Sequence, residues 1–121
     1  MRPQSAKSKG RWLQKWVVQM ILSLYKLLEP DDVRSTSMGA SGEDVQLSPA
    51  ARKLFPYSVE CKNVEKLNHS SAWDQTVSNA GDYEPALFTK KNRREVLVTI
   101  RAEHFFKLLE LIYEKQMDTK N

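Results

Sequence analysis

Asp44, in the string Gly42-Glu43-Asp44-Val45, precedes Glu60 of Glu60-Cys61-Lys62 by sixteen residues. An acid, a gap and a Glu-x-Lys are the parts of a metal-dependent phosphodiester hydrolysis. A hard divalent cation, Mg²⁺ or Mn²⁺, takes oxygen ligands and keeps several of its waters. Asp44 and Glu60 can each supply an oxygen, and the backbone carbonyl of Cys61 a third. A cation held this way lowers the pKa of a bound water and neutralises charge on the phosphate. Lys62 beside it would position or help deprotonate that water and offset developing charge. The plainer alternative for Glu60 and Lys62 is a surface ion pair of little energetic worth, and Glu-x-Lys alone is a common string.

Strand geometry would place these groups. Side chains alternate faces along a strand, so the run Phe55–Val59 leading into Glu60 predicts Val59 and Cys61 toward a core and Glu60 and Lys62 on an opposite, polar face. Asp44-Val45-Gln46-Leu47 alternates in the same sense, with Val45 and Leu47 inward. If the two strands pair, both carboxylates converge on one cation.

The remaining elements follow from periodicity. A helix is expected from Gly10, with Leu13, Trp16, Val17, Met20, Leu24, Leu27 and Leu28 on its apolar face, ending at Glu29-Pro30. Asp32–Ser37 reads as an edge strand and Met38–Gly42 as a turn. Ser48–Lys53 is a helical turn or loop between strands at Asp44–Leu47 and Tyr57–Lys62. A helix over Ser70–Ala80 would be capped by Ser70 or Ser71 and stopped by Gly81. Strands at Ala86–Thr89 and Val96–Ile100 flank a basic hairpin tip, Lys90–Arg94, and an amphipathic helix runs from Ala102 to about Lys115. The order is α-β-β-β-α-β-β-α, an α/β chain with a mixed central sheet flanked by helices. Residues 1–9 are expected as a basic disordered arm, 10–115 as the domain and 116–121 as a flexible tail.

A chain of 121 residues has one modest core. The net charge of +4 and pI near 9.2 suit a polyanionic partner. Lys7, Lys9, Arg11 and Lys15 cluster early, and Lys90, Lys91, Arg93 and Arg94 cluster late. Either cluster alone reads as solvated surface; both beside a metal-type site favour nucleic acid. Cys61 is the single cysteine, so no internal disulfide can form, which fits a reducing, cytoplasmic setting. The apolar stretch Trp16–Leu28 is too short and too polar to span a bilayer, and no secretory signal is visible, so no membrane partner is expected. No Cys/His zinc spacing exists, and no phosphate-cradling glycine loop, which argues against a nucleotide cofactor.

Asp44, Glu60-x-Lys62 and a following helix bearing Gln75 together resemble the PD-(D/E)xK nuclease superfamily. Within it the chain is similar to the Holliday-junction resolvases of archaea and their phage relatives. Lys9-Gly10 at the opening of the first helix, Arg34-x-x-Ser37 before a glycine-containing turn, and Ser41-Gly42-Glu43-Asp44 carry that second likeness, which covers residues 9 to about 110. The resemblance implies a restriction-endonuclease-like three-layer fold and a Mg²⁺-dependent DNA endonuclease acting on branched DNA as a homodimer. It implies Asp44 and Glu60 as metal ligands, Lys62 as the catalytic lysine, and Gln75 near the metal or phosphate, where the residue alone reads equally as a surface amide. Lys7, Lys9, Arg11, Arg34, Ser37, Arg93 and Arg94 would meet DNA.

One position departs from the pattern. The first-helix acid of those resolvases falls four residues after the glycine, and here that residue is Gln14, a weaker neutral oxygen donor flanking the buried face. Glu43, Glu29, Asp31 and Asp32 are carboxylates that could substitute, although alternation turns Glu43 away from Asp44. Two other functions stay open: a nicking or repair-type endonuclease on duplex or flapped DNA, and an inactive DNA-binding protein on the same fold. His69 reads as a solvated loop residue rather than a general base, His104 as structural, and Trp12 as packing or a DNA contact. Phe105, Phe106, Leu108, Leu109 and Ile112, with the hairpin at 86–100, either close the core or form a dimer surface.

Overall fold

The computed structural model describes residues 5–36 and 42–120. Helix α1 spans Ala6–Leu24, started by Ser5, whose hydroxyl oxygen accepts the Ser8 N–H at 3.1 Å. Lys7 and Lys9 therefore stand on the helix, not in a disordered arm. The helix ends five residues earlier than Glu29, because Tyr25 leaves helical geometry (φ −106°, ψ 82°) while its N–H still bonds to the Ile21 carbonyl. The buried stripe consequently differs from expectation. It runs through Leu13, Gln14, Val17, Val18 and Ile21, while Met20, Leu24 and Leu27 are exposed, Leu27 at 92%. Leu27 and Leu28 lie beyond the helix end and no longer define its face.

Asp32 closes a short 3-10 turn, Pro30–Asp32, and β1 (Val33–Ser35) pairs antiparallel with β2 (Val45–Leu47), Arg34 opposite Gln46. Both strands are shorter than expected. The string Ser48-Pro49 then starts α2 (Pro49–Leu54), with the Ser48 hydroxyl capping Ala51 N–H at 3.1 Å. Strand β3 (Tyr57–Asn63) pairs in parallel with β4 (Glu84–Lys90), and β4 pairs antiparallel with β5 (Leu97–Thr99). Helix α3 (His69–Ala80) makes the crossover that a parallel pair needs. Its cap is Asn68, whose side chain accepts Ser71 N–H at 3.0 Å, and not Ser70 or Ser71. Gly81 stops it as expected, at φ +59°.

The element order follows the expected one except that the segment expected as a helical turn or loop is a full helix, α2, between β2 and β3, and the single mixed sheet expected is a mixed three-stranded sheet with a separate two-stranded ribbon. Val33, Val45, Val59 and Cys61 form the main core with the α1 stripe. Ala72, Thr76 and Ala80 of α3 are buried toward the other face of β3 and β4. Both faces of β3 are thus covered.

The last helix, α4, spans Ala102–Lys120, so the segment expected as a flexible tail is helical as far as Lys120. It is anchored at its start. The Tyr57 hydroxyl lies 2.6 Å from His104 Nε2, and Arg101 grips Glu84 through two hydrogen bonds of 2.7 and 2.6 Å. Beyond that anchor, Phe105, Phe106, Leu109, Ile112, Tyr113 and Met117 remain exposed instead of closing the core. Among the described residues no helix is long and apolar enough to cross a membrane.

Candidate active site

The junction between the ribbon and the sheet places Asp44. It lies just before β2, and no β2–β3 ladder forms. Instead Asp44 N–H donates to the Val59 carbonyl at 2.9 Å, and Cys61 N–H donates to Asp44 Oδ2 at 2.7 Å. The open edge of β3 is thereby satisfied by one residue, main chain and side chain together. Thr36 holds the same loop from the other side, its N–H donating to the Asp44 carbonyl at 2.9 Å and its hydroxyl to the Glu43 carbonyl at 2.7 Å. Convergence of the two acids was expected through paired strands; a backbone staple at Asp44 achieves it.

Glu60 lies on the α3 side of β3 and is only 3% exposed, where an open polar face was expected. The cause is α3, which supplies Asn79. Its Nδ2 donates to Glu60 Oε1 at 2.9 Å. Burial first, and then the Asp44 carboxylate beside it, push the Glu60 carboxyl up to about 7 against the opposing effects of Asn79 and the Lys62 charge. Lys62 is half-buried and, by alternation, on the same face as Glu60. The Cys61 thiol sits in the core, where burial pushes it up and makes it a poor nucleophile. The Cys61 carbonyl shares the strand edge on which its N–H meets Asp44.

Gln75 is exposed on α3, and the amide that reaches Glu60 belongs to Asn79, one helical turn further on. Sequence reasoning missed Asn79; the signal available was its four-residue step from Gln75, which puts both on one side of the helix. Gln14 is buried, 5% exposed, inside the α1 stripe and not at its flank. Three of the four carboxylates considered as substitutes for Gln14 have other partners. Glu43 is ion-paired with Arg52, which also donates to the Tyr57 carbonyl at 3.0 Å and lies 4.1 Å from the Tyr83 ring centroid. Asp32 accepts from Ser48 Oγ at 2.6 Å and from Glu29 N–H at 2.7 Å, bonds that hold its carboxyl below the ordinary range. Asp31 faces Arg34 at 3.5 Å.

Among the described residues no group of three or more His, Cys, Asp or Glu side chains gathers to hold a metal. The available donors are two carboxylates and a main-chain carbonyl, all hard oxygens. That set fits Mg²⁺ or Mn²⁺, which retain waters in the remaining positions, and does not fit zinc.

The two basic clusters, far apart in sequence, meet at the C-terminal end of β3. Asn63 Nδ2 donates to the Lys9 carbonyl at 2.8 Å, and Lys90 Nζ lies 5.5 Å from the centroid of the Trp12 ring. Lys7, Arg11, Arg93 and Arg94 are exposed, and Lys9 is half-buried. Arg34 is exposed on the ribbon, away from this cluster in the sheet order. Ser37 lies outside the described residues. His69 opens α3 rather than preceding it, with Nε2 2.8 Å from Thr99 Oγ1. His104 is structural, as expected. Trp16 packs against the core.

No family model, curated protein or solved structure matches the chain.

Proposed function

We propose that the chain is a metal-dependent DNA endonuclease with a restriction-endonuclease-like fold, selective for branched DNA in the manner of a Holliday-junction resolvase. The observation that carries this reading is the seating of Asp44 on the edge of β3, its N–H on the Val59 carbonyl and its Oδ2 on the Cys61 N–H, on either side of buried Glu60. Two carboxylates are held together with one of them buried, an arrangement that raises the Glu60 carboxyl to about 7 and that a divalent cation would relieve. Asp44 and Glu60, with the Cys61 carbonyl, would hold Mg²⁺ or Mn²⁺. Bound there, the ion would supply Lewis-acid polarisation of the phosphate and a water of lowered pKa. Lys62 would hold the phosphate charge and orient the attacking water. Asn79 keeps the Glu60 carboxylate aimed, and the merged basic patch would bind the DNA backbone at the adjoining strand ends, with salt-sensitive affinity.

The unpartnered α4 face and exposed Val98 on edge strand β5 support a homodimer. Exposed apolar surface of this extent marks an interaction site. A DNA substrate would place the protein in the cytoplasm.

The test is cleavage of a labelled four-way junction and its matched linear duplex, with Mg²⁺ or EDTA, by wild type, Glu60→Gln and Lys62→Met. Symmetric nicks in the junction alone, lost with EDTA and in both variants, are the expected result. Equal cutting of both substrates would point to the nicking or repair-type enzyme. DNA binding without cleavage under any condition would refute catalysis and leave a DNA-binding protein.

A further inference from the structure

The face that carries Glu60 and Lys62 continues across the sheet. Lys62 lies opposite Thr89 in the parallel register, and Thr89 lies opposite Leu97 in the antiparallel one. Partners in register share a face, so the three side chains form one transverse row, with neighbouring strands about 4.8 Å apart. Thr89 and Leu97 are part of the lining of a half-open cavity of about 260 Å³. The cavity thus begins one strand away from Lys62.

Val64, Leu67 and Leu97 give it apolar walls, Lys90, Lys91 and Arg94 bring three cations to it against the single carboxylate of Glu95, and His69 completes the lining. The cations are presented by an ordered turn. Arg94 N–H closes on the Lys91 carbonyl at 3.1 Å, Asn92 N–H donates to both oxygens of the Glu65 carboxylate at 3.1 and 3.2 Å, and Arg93 takes the left-handed conformation at φ 62°. An apolar slot beside cations carried on an ordered turn matches a ligand with a flat apolar end and an anionic end.

We propose that this cavity binds one unstacked nucleotide, its base against Leu67 and Leu97 and its phosphate on Lys91 and Arg94. Its role as a subsite of a DNA strand passing Lys62 rests on the endonuclease reading. Duplex DNA must unstack a base to fill such a slot, whereas a branch point, gap or flap offers one already unstacked. The cavity would therefore favour interrupted DNA without any contact to the scissile phosphate.

The test is a titration of the ¹⁵N-labelled full chain in EDTA, followed by amide shifts, with 5′-dAMP, inorganic phosphate and a short single-stranded oligodeoxynucleotide. The expected result is that dAMP and the oligonucleotide shift the same amides, at Val64–Leu67 and Lys91–Leu97. Phosphate alone should bind about tenfold more weakly. Arg94→Ala and Leu97→Ser, both at exposed positions, should each weaken dAMP about fivefold while leaving the remaining spectrum unchanged. Equal shifts by phosphate would reduce the cavity to an anion patch and overturn the proposal. Silence of these amides toward both nucleotide probes would overturn it too, as would binding of dAMP with exclusion of the oligonucleotide. The titration needs no turnover. Binding here by a chain that cuts no DNA would uphold the cavity and sink the endonuclease reading, and cleavage with silent cavity amides would do the reverse.

Discussion

Replacing Glu60 with Gln is expected to stabilise the metal-free protein above neutral pH and to leave it unchanged in acid. The folded protein keeps a proton on Glu60 up to about pH 7, whereas the ordinary value of 4.5 applies once the chain unfolds. Between those limits the folded state binds the extra proton, so stability falls as pH rises. Each tenfold difference in proton affinity is worth about 1.4 kcal/mol, so the full loss, reached above about pH 7, is about 3 kcal/mol. Gln cannot ionise and keeps an oxygen for Asn79 Nδ2, which donates to Glu60 at 2.9 Å. At about pH 8 the variant should therefore be more stable by about 3 kcal/mol, a melting-temperature gain on the order of 10 °C for a chain of this size. Below about pH 4.5 the two proteins should coincide. The assay is thermal and urea unfolding of both proteins in EDTA across this range. Their difference isolates the Glu60 carboxyl together with the groups that touch it. Added Mg²⁺ at the high-pH end should stabilise the wild type and not the variant. Parallel pH profiles, or a Gln variant less stable at about pH 8, would show that Asn79 and Lys62 already satisfy the charged carboxylate and would refute the reasoning.

Two further outcomes follow from neighbouring contacts. Arg52→Met keeps the aliphatic stem but removes the ion pair to Glu43 and the hydrogen bond to the Tyr57 carbonyl; urea unfolding should show a loss of about 2–3 kcal/mol, and the junction assay a drop in cleavage as the Asp44 loop loosens. Ile112→Glu in the exposed α4 face should convert a dimer to a monomer in analytical ultracentrifugation with thermal stability nearly unchanged; a wild type that sediments as a monomer at all concentrations would refute the interface.

Much of the element order was legible because periodicity survives in single elements. Val59 and Cys61 do lie on the core side of β3, and Val45 and Leu47 face inward from β2, because strand alternation is a local property. Boundaries were less legible. The Asn68 cap competes with two serines beside it, and local chemistry does not separate three residues that can all cap. The α1 stripe shifted because its boundary did: Leu27 and Leu28 fit a longer helix only if Tyr25 stays helical.

The candidate site divides along the same line. Residue type and spacing singled out Asp44, Glu60 and Lys62 as candidates, although Glu-x-Lys by itself is a common string. The two basic clusters were also readable from the chain itself. Only the tertiary structure decided that Asp44 reaches Glu60 through a backbone staple at Val59 and Cys61, that α3 buries Glu60 and brings Asn79 to it, and that Glu43 belongs to Arg52. It also decided that the basic clusters merge and that the apolar face of α4 stays exposed beyond its anchored start. The physical reason is range. Alternation and capping act over a few residues and leave a mark in the sequence. A carboxylate's burial, and with it its proton affinity, depends on which distant helix packs over it.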